Sequence, residues 1–173
     1  MNGAGKKFRL VCLLGTVMST IAGKTISLER LKELASDPTA LNQHLLAVLL
    51  TMQDECEEVR AWASDALETV EAPSPSSAAQ LAELTQHVKA PVAGWACKLL
   101  GRLGDQASGY QGALASALSQ HASVSVRQLA ALALKSIPNL TEETVAALQT
   151  AASDTDARLS RLATDALSAR QHA

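Results

Sequence analysis

From residue 59 onward one apolar frame returns four times. Its anchors are Val59, Val92, Val126 and Leu159, at steps of 33, 34 and 33 residues. Three residues after each anchor stands Trp62, Trp95, Leu129 or Leu162, and four after it Ala63, Ala96, Ala130 or Ala163. Seven and eight on come Ala66-Leu67, Leu99-Leu100, Ala133-Leu134 and Ala166-Leu167; eleven on come Val70, Leu103, Ile137 and, out of pattern, Arg170. At about 100° per residue these offsets share one side of a helix, so the frame predicts four amphipathic helices. The constant alanine marks where a neighbouring helix comes closest.

A second apolar stretch precedes each frame: Leu41 to Met52, Leu81 to Val88, Leu114 to Leu118, and Val145 to Ala151. The repeating unit is therefore two antiparallel helices in about 33 residues, a period typical of helical solenoids. The repeats run approximately over 39–71, 77–104, 110–137 and 141–170. "SLERLKEL", residues 27–34, predicts an additional amphipathic helix with Ser27 placed to cap it, covering one end of the stack. Turn signals support this phasing: Asp37-Pro38, "APSPSS" at 72–77, "GDQASG" at 104–109 and Pro138-Asn139. Pro91 falls in the first turn of its helix, where a missing N–H costs little.

These columns resemble the HEAT repeat, in the short form found in HEAT-like proteins of the phycobilisome-lyase type, over residues 39–170. The resemblance implies an all-α fold, a right-handed α-solenoid of about four helix pairs with an N-terminal capping helix. It also implies a ladder between repeats, with an Asp about five residues before the anchor and an Arg just after it. Asp54 with Arg60 fit that pattern fully, and Arg127 and Asp154 fit singly; His87 and His121 stand in the Asp column, Ala93 and Ser160 in the Arg column. Solenoids of this kind mostly bind other proteins, so the fold points to a scaffold, with a lyase-like handler of a small molecule or prosthetic group as the alternative.

Composition agrees with a helical stack. Hydrophobic residues make up 47% of the chain and aromatic ones 2%, so Ala, Leu and Val carry the core. A net charge of -2 and a pI near 6.1 give no general attraction for nucleic acid or an anionic membrane. A reading as a HEAT-like DNA glycosylase would need a continuous basic groove, which this charge disfavours. Residues 10–23, "LVCLLGTVMSTIAG", are too short an apolar stretch to span a bilayer as a helix. Preceded by Lys6, Lys7 and Arg9, they have the order of a signal peptide with cleavage after Ala22; a start at Met18 is the alternative. Both place residues 1–24 outside the folded domain of residues 25–173. Cys12, Cys56 and Cys97 form neither a disulfide framework nor a metal-type spacing, which favours a reducing cytoplasm.

Candidate partner-binding residues lie around the second repeat. Positions two, five and nine after the anchor point away from the apolar stripe and there hold Gly94, Cys97 and Gly101, with Lys98 and Arg102 beside them. Two glycines inside a helix each cost about 1 kcal/mol relative to Ala, a loss offset if another backbone approaches closely. The expectation is an inner surface that receives a protein or peptide. Trp62 and Trp95 are candidate anchors for it, or fill space between repeats as Leu129 and Leu162 do in the same column. Acids crowd residues 54–71 and bases residues 89–135, an asymmetry that suits a charged partner or weak head-to-tail self-association. His87 and His121 lack a recurring third donor, so no metal is expected; no catalytic residues and no cofactor are assigned.

Overall fold

The computed structural model describes residues 18–21 and 24–169 and is all-helical apart from one short hairpin. It divides into two compact units, one ending at Glu71 and the other beginning at Ala72.

The first unit opens with strands β1 (Met18–Ile21) and β2 (Lys24–Ser27), paired antiparallel with Met18 opposite Ser27 and Ile21 opposite Lys24. The boundary expected at residue 24 thus falls inside a hairpin, in a stretch where Thr20, Ile21, Thr25 and Ile26 favour extended backbone. The hairpin feeds α1 (Leu28–Ala35), capped as expected by Ser27, whose Oγ accepts the Arg30 N–H at 3.2 Å. Leu28, Leu31 and Leu34 form its buried side, and α1 packs against α4 (Glu57–Glu68). Between them lie α2 (Pro38–Gln43), capped by the Asp37 carboxylate, and α3 (Leu45–Leu50). The single helix expected over Leu41 to Met52 is interrupted at His44, whose ψ opens to 11°. Hydrogen bonding continues through the break, from His44 N–H to Ala40 O and from Val48 N–H to His44 O. Leu41, Leu45, Val48 and Leu49 consequently stay buried on one side.

The second unit contains α5 (Ala78–Leu84), α6 (Ala90–Arg102), α7 (Gln111–Gln120), α8 (Val124–Lys135), α9 (Glu142–Ala151) and α10 (Ala157–Ala169). Helix α8 lies between α6 and α10, while α5, α7 and α9 pack on α6, α8 and α10 respectively, giving two layers. Polar links tie the α5, α7 and α9 layer: Gln86 Nε2 donates to Ser116 Oγ at 3.1 Å, and Gln111 Oε1 accepts the Thr141 N–H at 2.7 Å. Gly104 ends α6 at φ +55°, a left-handed conformation that glycine adopts without Cβ strain.

The repeated frame is the core of both units. Val59, Ala63 and Leu67 are wholly buried in α4; Val92, Ala96, Leu99 and Leu100 in α6; Val126, Ala130 and Leu134 in α8; Leu159 and Ala163 in α10. Leu167 is only half-buried, and Arg170 lies outside the described residues. The four constant alanines have no exposed surface, because a larger side chain there would hold the helix layers apart.

Two substitutions two residues apart separate packing from exposure. Ala130→Leu overfills a closed site and is expected to destabilise by about 1–3 kcal/mol. Leu132→Ala, on the solvent side, is expected to change stability by less than about 0.5 kcal/mol. Urea unfolding of the two variants measures the difference.

Candidate functional site

The turns that lead into α4, α6, α8 and α10 share one device. Asp54 Oδ1 accepts the Cys56 N–H at 2.8 Å, His87 Nδ1 the Lys89 N–H at 3.1 Å, His121 Nδ1 the Ser123 N–H at 3.0 Å, and Asp154 Oδ1 the Asp156 N–H at 2.8 Å. A histidine replaces the aspartate because Nδ1 and Oδ1 are acceptors at the same number of bonds from Cβ. His121 Nε2 lies 3.2 Å from the His87 carbonyl oxygen. With Nδ1 accepting, Nε2 carries the proton and donates, so a neutral imidazole satisfies both contacts. These nitrogens are occupied by the backbone, and no cluster of three metal-type donors occurs among the described residues.

The ladder residues divide between two jobs. Arg60 donates to the main-chain carbonyls of Asp54 at 2.7 Å and Glu55 at 2.9 Å, bracing its own turn. Arg127 likewise donates to the His121 carbonyl at 3.1 Å and reaches the Asp154 carboxylate of the next repeat at 3.9 Å. Asp54 and Arg60 therefore make no ladder pair of carboxylate and guanidinium, whereas Arg127 and Asp154 do. Asp156 was not singled out by the repeat columns, yet its Oδ1 accepts the Leu159 N–H at 2.7 Å and Gln128 Nε2 at 2.8 Å. The Leu159 N–H, then Gln128, hold its carboxyl below the usual range. Its place three residues before an apolar anchor is the signal of a helix N-cap.

The surface expected around the second repeat is arranged differently. Gly94 and Cys97 are buried and Gly101 is half-buried, covered by α8 of the same unit rather than left for a partner. A Cβ at Gly94 would stand 2.9 Å from Leu129 Cδ1; one at Gly101 would stand 2.9 Å from Ala133 Cα and 3.1 Å from its Cβ. The close backbone approach is real, and α8 makes it. Helix α6 has α5 against one side and α8 against its flank, so its free strip is narrower than the repeat offsets imply. Burial pushes the Cys97 thiol up to about 12, which keeps it protonated and inert at neutral pH. Neither Cys56 nor Cys97 is in a disulfide.

At the equivalent places on α8, Ala131 is buried and Gln128 is bonded to Asp156; on α10 they are Arg161, Thr164 and Ser168, all exposed. The face of α6 and α8 that does meet solvent centres six residues after the anchor, at Lys98 and Leu132. Leu132 is 45% exposed, with half-buried Leu129 one turn before it and exposed Lys135 one turn after. On α6 the Lys98 ammonium stands 3.9 Å from the centroid of the Trp95 ring and the Arg102 guanidinium 5.9 Å from it. Trp95 is 7% exposed, so its ring is a floor under these cations more than a free anchor. In the first unit Trp62 is half-buried, with Lys32 of α1 at 5.1 Å.

Among the described residues no helix is long and apolar enough to cross a membrane. No protein family matches this sequence, and no curated protein does. Among solved structures, the crystal structure of an engineered protein is similar over 98% of this chain and 79% of its own, at 20% identity and a TM-score of 0.52. That likeness concerns the fold.

The two glycines differ in what they touch, and alanine tests this. Gly94→Ala meets the movable tip of Leu129 and gains about 1 kcal/mol of helix propensity, so thermal unfolding is expected to shift little. Gly101→Ala meets backbone that has no room to yield, and is expected to destabilise by about 1–3 kcal/mol. For the turn, His121→Leu strands the Ser123 N–H and the His87 carbonyl and is expected to cost about 1–3 kcal/mol. His121→Asn keeps the Ser123 acceptor and should fall between the two in chemical denaturation.

Proposed function

We propose that this chain is a small, non-catalytic interaction scaffold: a HEAT-like α-solenoid that receives a protein or peptide on the solvent face of α6 and α8. The observation that carries the reading is Leu132. It stands 45% exposed in the middle of a helix whose Val126, Ala130, Ala133 and Leu134 are buried, and at the equivalent positions α6 has Lys98 and α10 has Asp165. A leucine contributes no solvation there, and its cover by a partner would bury it at about 25 cal/mol per Å² of apolar surface. Half-buried Leu129 and exposed Lys135 extend the same face with apolar area and charge.

The proposed site lies beside the small residues Gly94, Cys97 and Gly101, which serve the scaffold by letting α8 approach. Cys56 and Cys97, both outside disulfides, support a cytoplasmic setting.

Quantitative affinity capture from source-cell lysate with the whole chain and with Leu132→Asp tests the reading. A partner retained by the unmodified chain and reduced about tenfold or more by Leu132→Asp, with helicity unchanged, is the expected result. Equal capture by both overturns the assignment of this face.

A further inference from the structure

We infer that the second unit contains an acid-sensitive joint: protonation of His87 and His121 frees the turns they hold, while Asp154 keeps its own. Each of these side chains accepts the main-chain N–H two residues on, through Nδ1 in the histidines and Oδ1 in the aspartate. An imidazolium has hydrogen on both ring nitrogens and accepts nothing, so Nδ1–H of a protonated His121 meets the Ser123 N–H head on across 3.0 Å. Turning the buried ring away gives up the bond from Nε2 to the His87 carbonyl, 3.2 Å long and a link between the α5–α6 and α7–α8 repeats.

No described carboxylate is bonded to either imidazole. Arg127 of α8 sits on the His121 carbonyl and pairs with Asp154, and Asp156 is bonded to Leu159 and Gln128. Glu83 on α5 and Lys89 after His87 are exposed, Lys135 closes the far end of α8, Glu142 and Glu143 open α9, and exposed Arg158 stands at the start of α10. Helix α7 and the first two turns of α6 contain no charged residue. The folded turns thus fit neutral imidazole, whereas the unfolded chain takes protons on both rings. Stability tied to these bonds is therefore fully present above the histidine range and is lost as pH falls through it, from about 8 to about 5, where aspartate is still ionised. A carboxylate in the same turns would give no response there.

The test follows the urea midpoint of the full chain from about pH 8 to about pH 5.5, beside a His87→Asn, His121→Asn double variant whose amide oxygens accept without titrating. The midpoint of the unmodified chain is expected to fall with acid, and that of the variant to fall by about half as much or less; His44 and His172 titrate in both. The variant also loses the bond to the His87 carbonyl and starts lower, so the slopes are what is compared. Hydrogen exchange on the unmodified chain needs no variant. Corrected for intrinsic rates, protection of the Lys89 and Ser123 amides should drop about tenfold or more over the same range, while the Cys56 and Asp156 amides keep theirs. Parallel slopes in the two proteins overturn the joint, as do four amides that respond alike. A His121 ring shown by NMR to be doubly protonated while the Ser123 amide stays protected overturns it too.

Discussion

At Gly101 one added carbon would stand 2.9 Å from the Ala133 Cα, so α6 and α8 meet nearly backbone to backbone. The distance between these helices sets much else in the second unit. It buries Cys97 deeply enough to keep its thiol protonated, and it places Leu129 over Gly94. The constant alanines of the frame, Ala96, Ala130 and Ala163, are closed as well and let α5, α7 and α9 settle onto α6, α8 and α10. Small residues thus set spacing in two directions, and large ones fill what remains: Leu99, Leu100, Leu114, Leu118 and Leu134 are all closed.

The turns hold helix to helix through side chains bonded to the main chain. Asp54, His87, His121 and Asp154 each accept a main-chain N–H two residues on, and two arginines clamp the carbonyls of their own turns. Repeats in the second unit are then joined by different chemistry at each step. His121 donates to the carbonyl of His87, and Arg127 reaches the carboxylate of Asp154. A turn that needs only an acceptor at a fixed distance from Cβ tolerates either side chain. The link to the neighbouring repeat changes with it.

Much of this was legible in the sequence, and the reasons are local. Offsets of 0, 4, 7 and 8 from Val92 and Val126 are a helical period, and those residues are buried. Ser27 and Pro91 announced helix starts through capping chemistry and fixed φ, which neighbours do not alter, whereas Asp37, read as a turn, also caps the helix that follows it. That α8 is what approaches Gly94 and Gly101 is a matter on which periodicity has nothing to say. A helical wheel distinguishes the apolar stripe from its opposite side, but which flank a neighbouring helix covers is a property of the layer. Leu132 was passed over for the converse reason: a leucine in a leucine-rich helix looks like core until the surface around it is known. At Asp156 the cap on Leu159 N–H was legible locally, whereas the bond from Gln128 on another helix was not.

The flank that α6 presents to α8 is glycine and cysteine, whereas the same flank of α10 presents Arg161, Thr164 and Ser168 to solvent. There the two hydroxyls donate to carbonyls one turn back, Thr164 to Ser160 and Ser168 to Thr164, so Arg161 carries most of the hydration. The two flanks of one repeated frame thus differ in what it costs to dry them: glycine and cysteine give up almost no hydration, whereas an exposed guanidinium gives up a great deal.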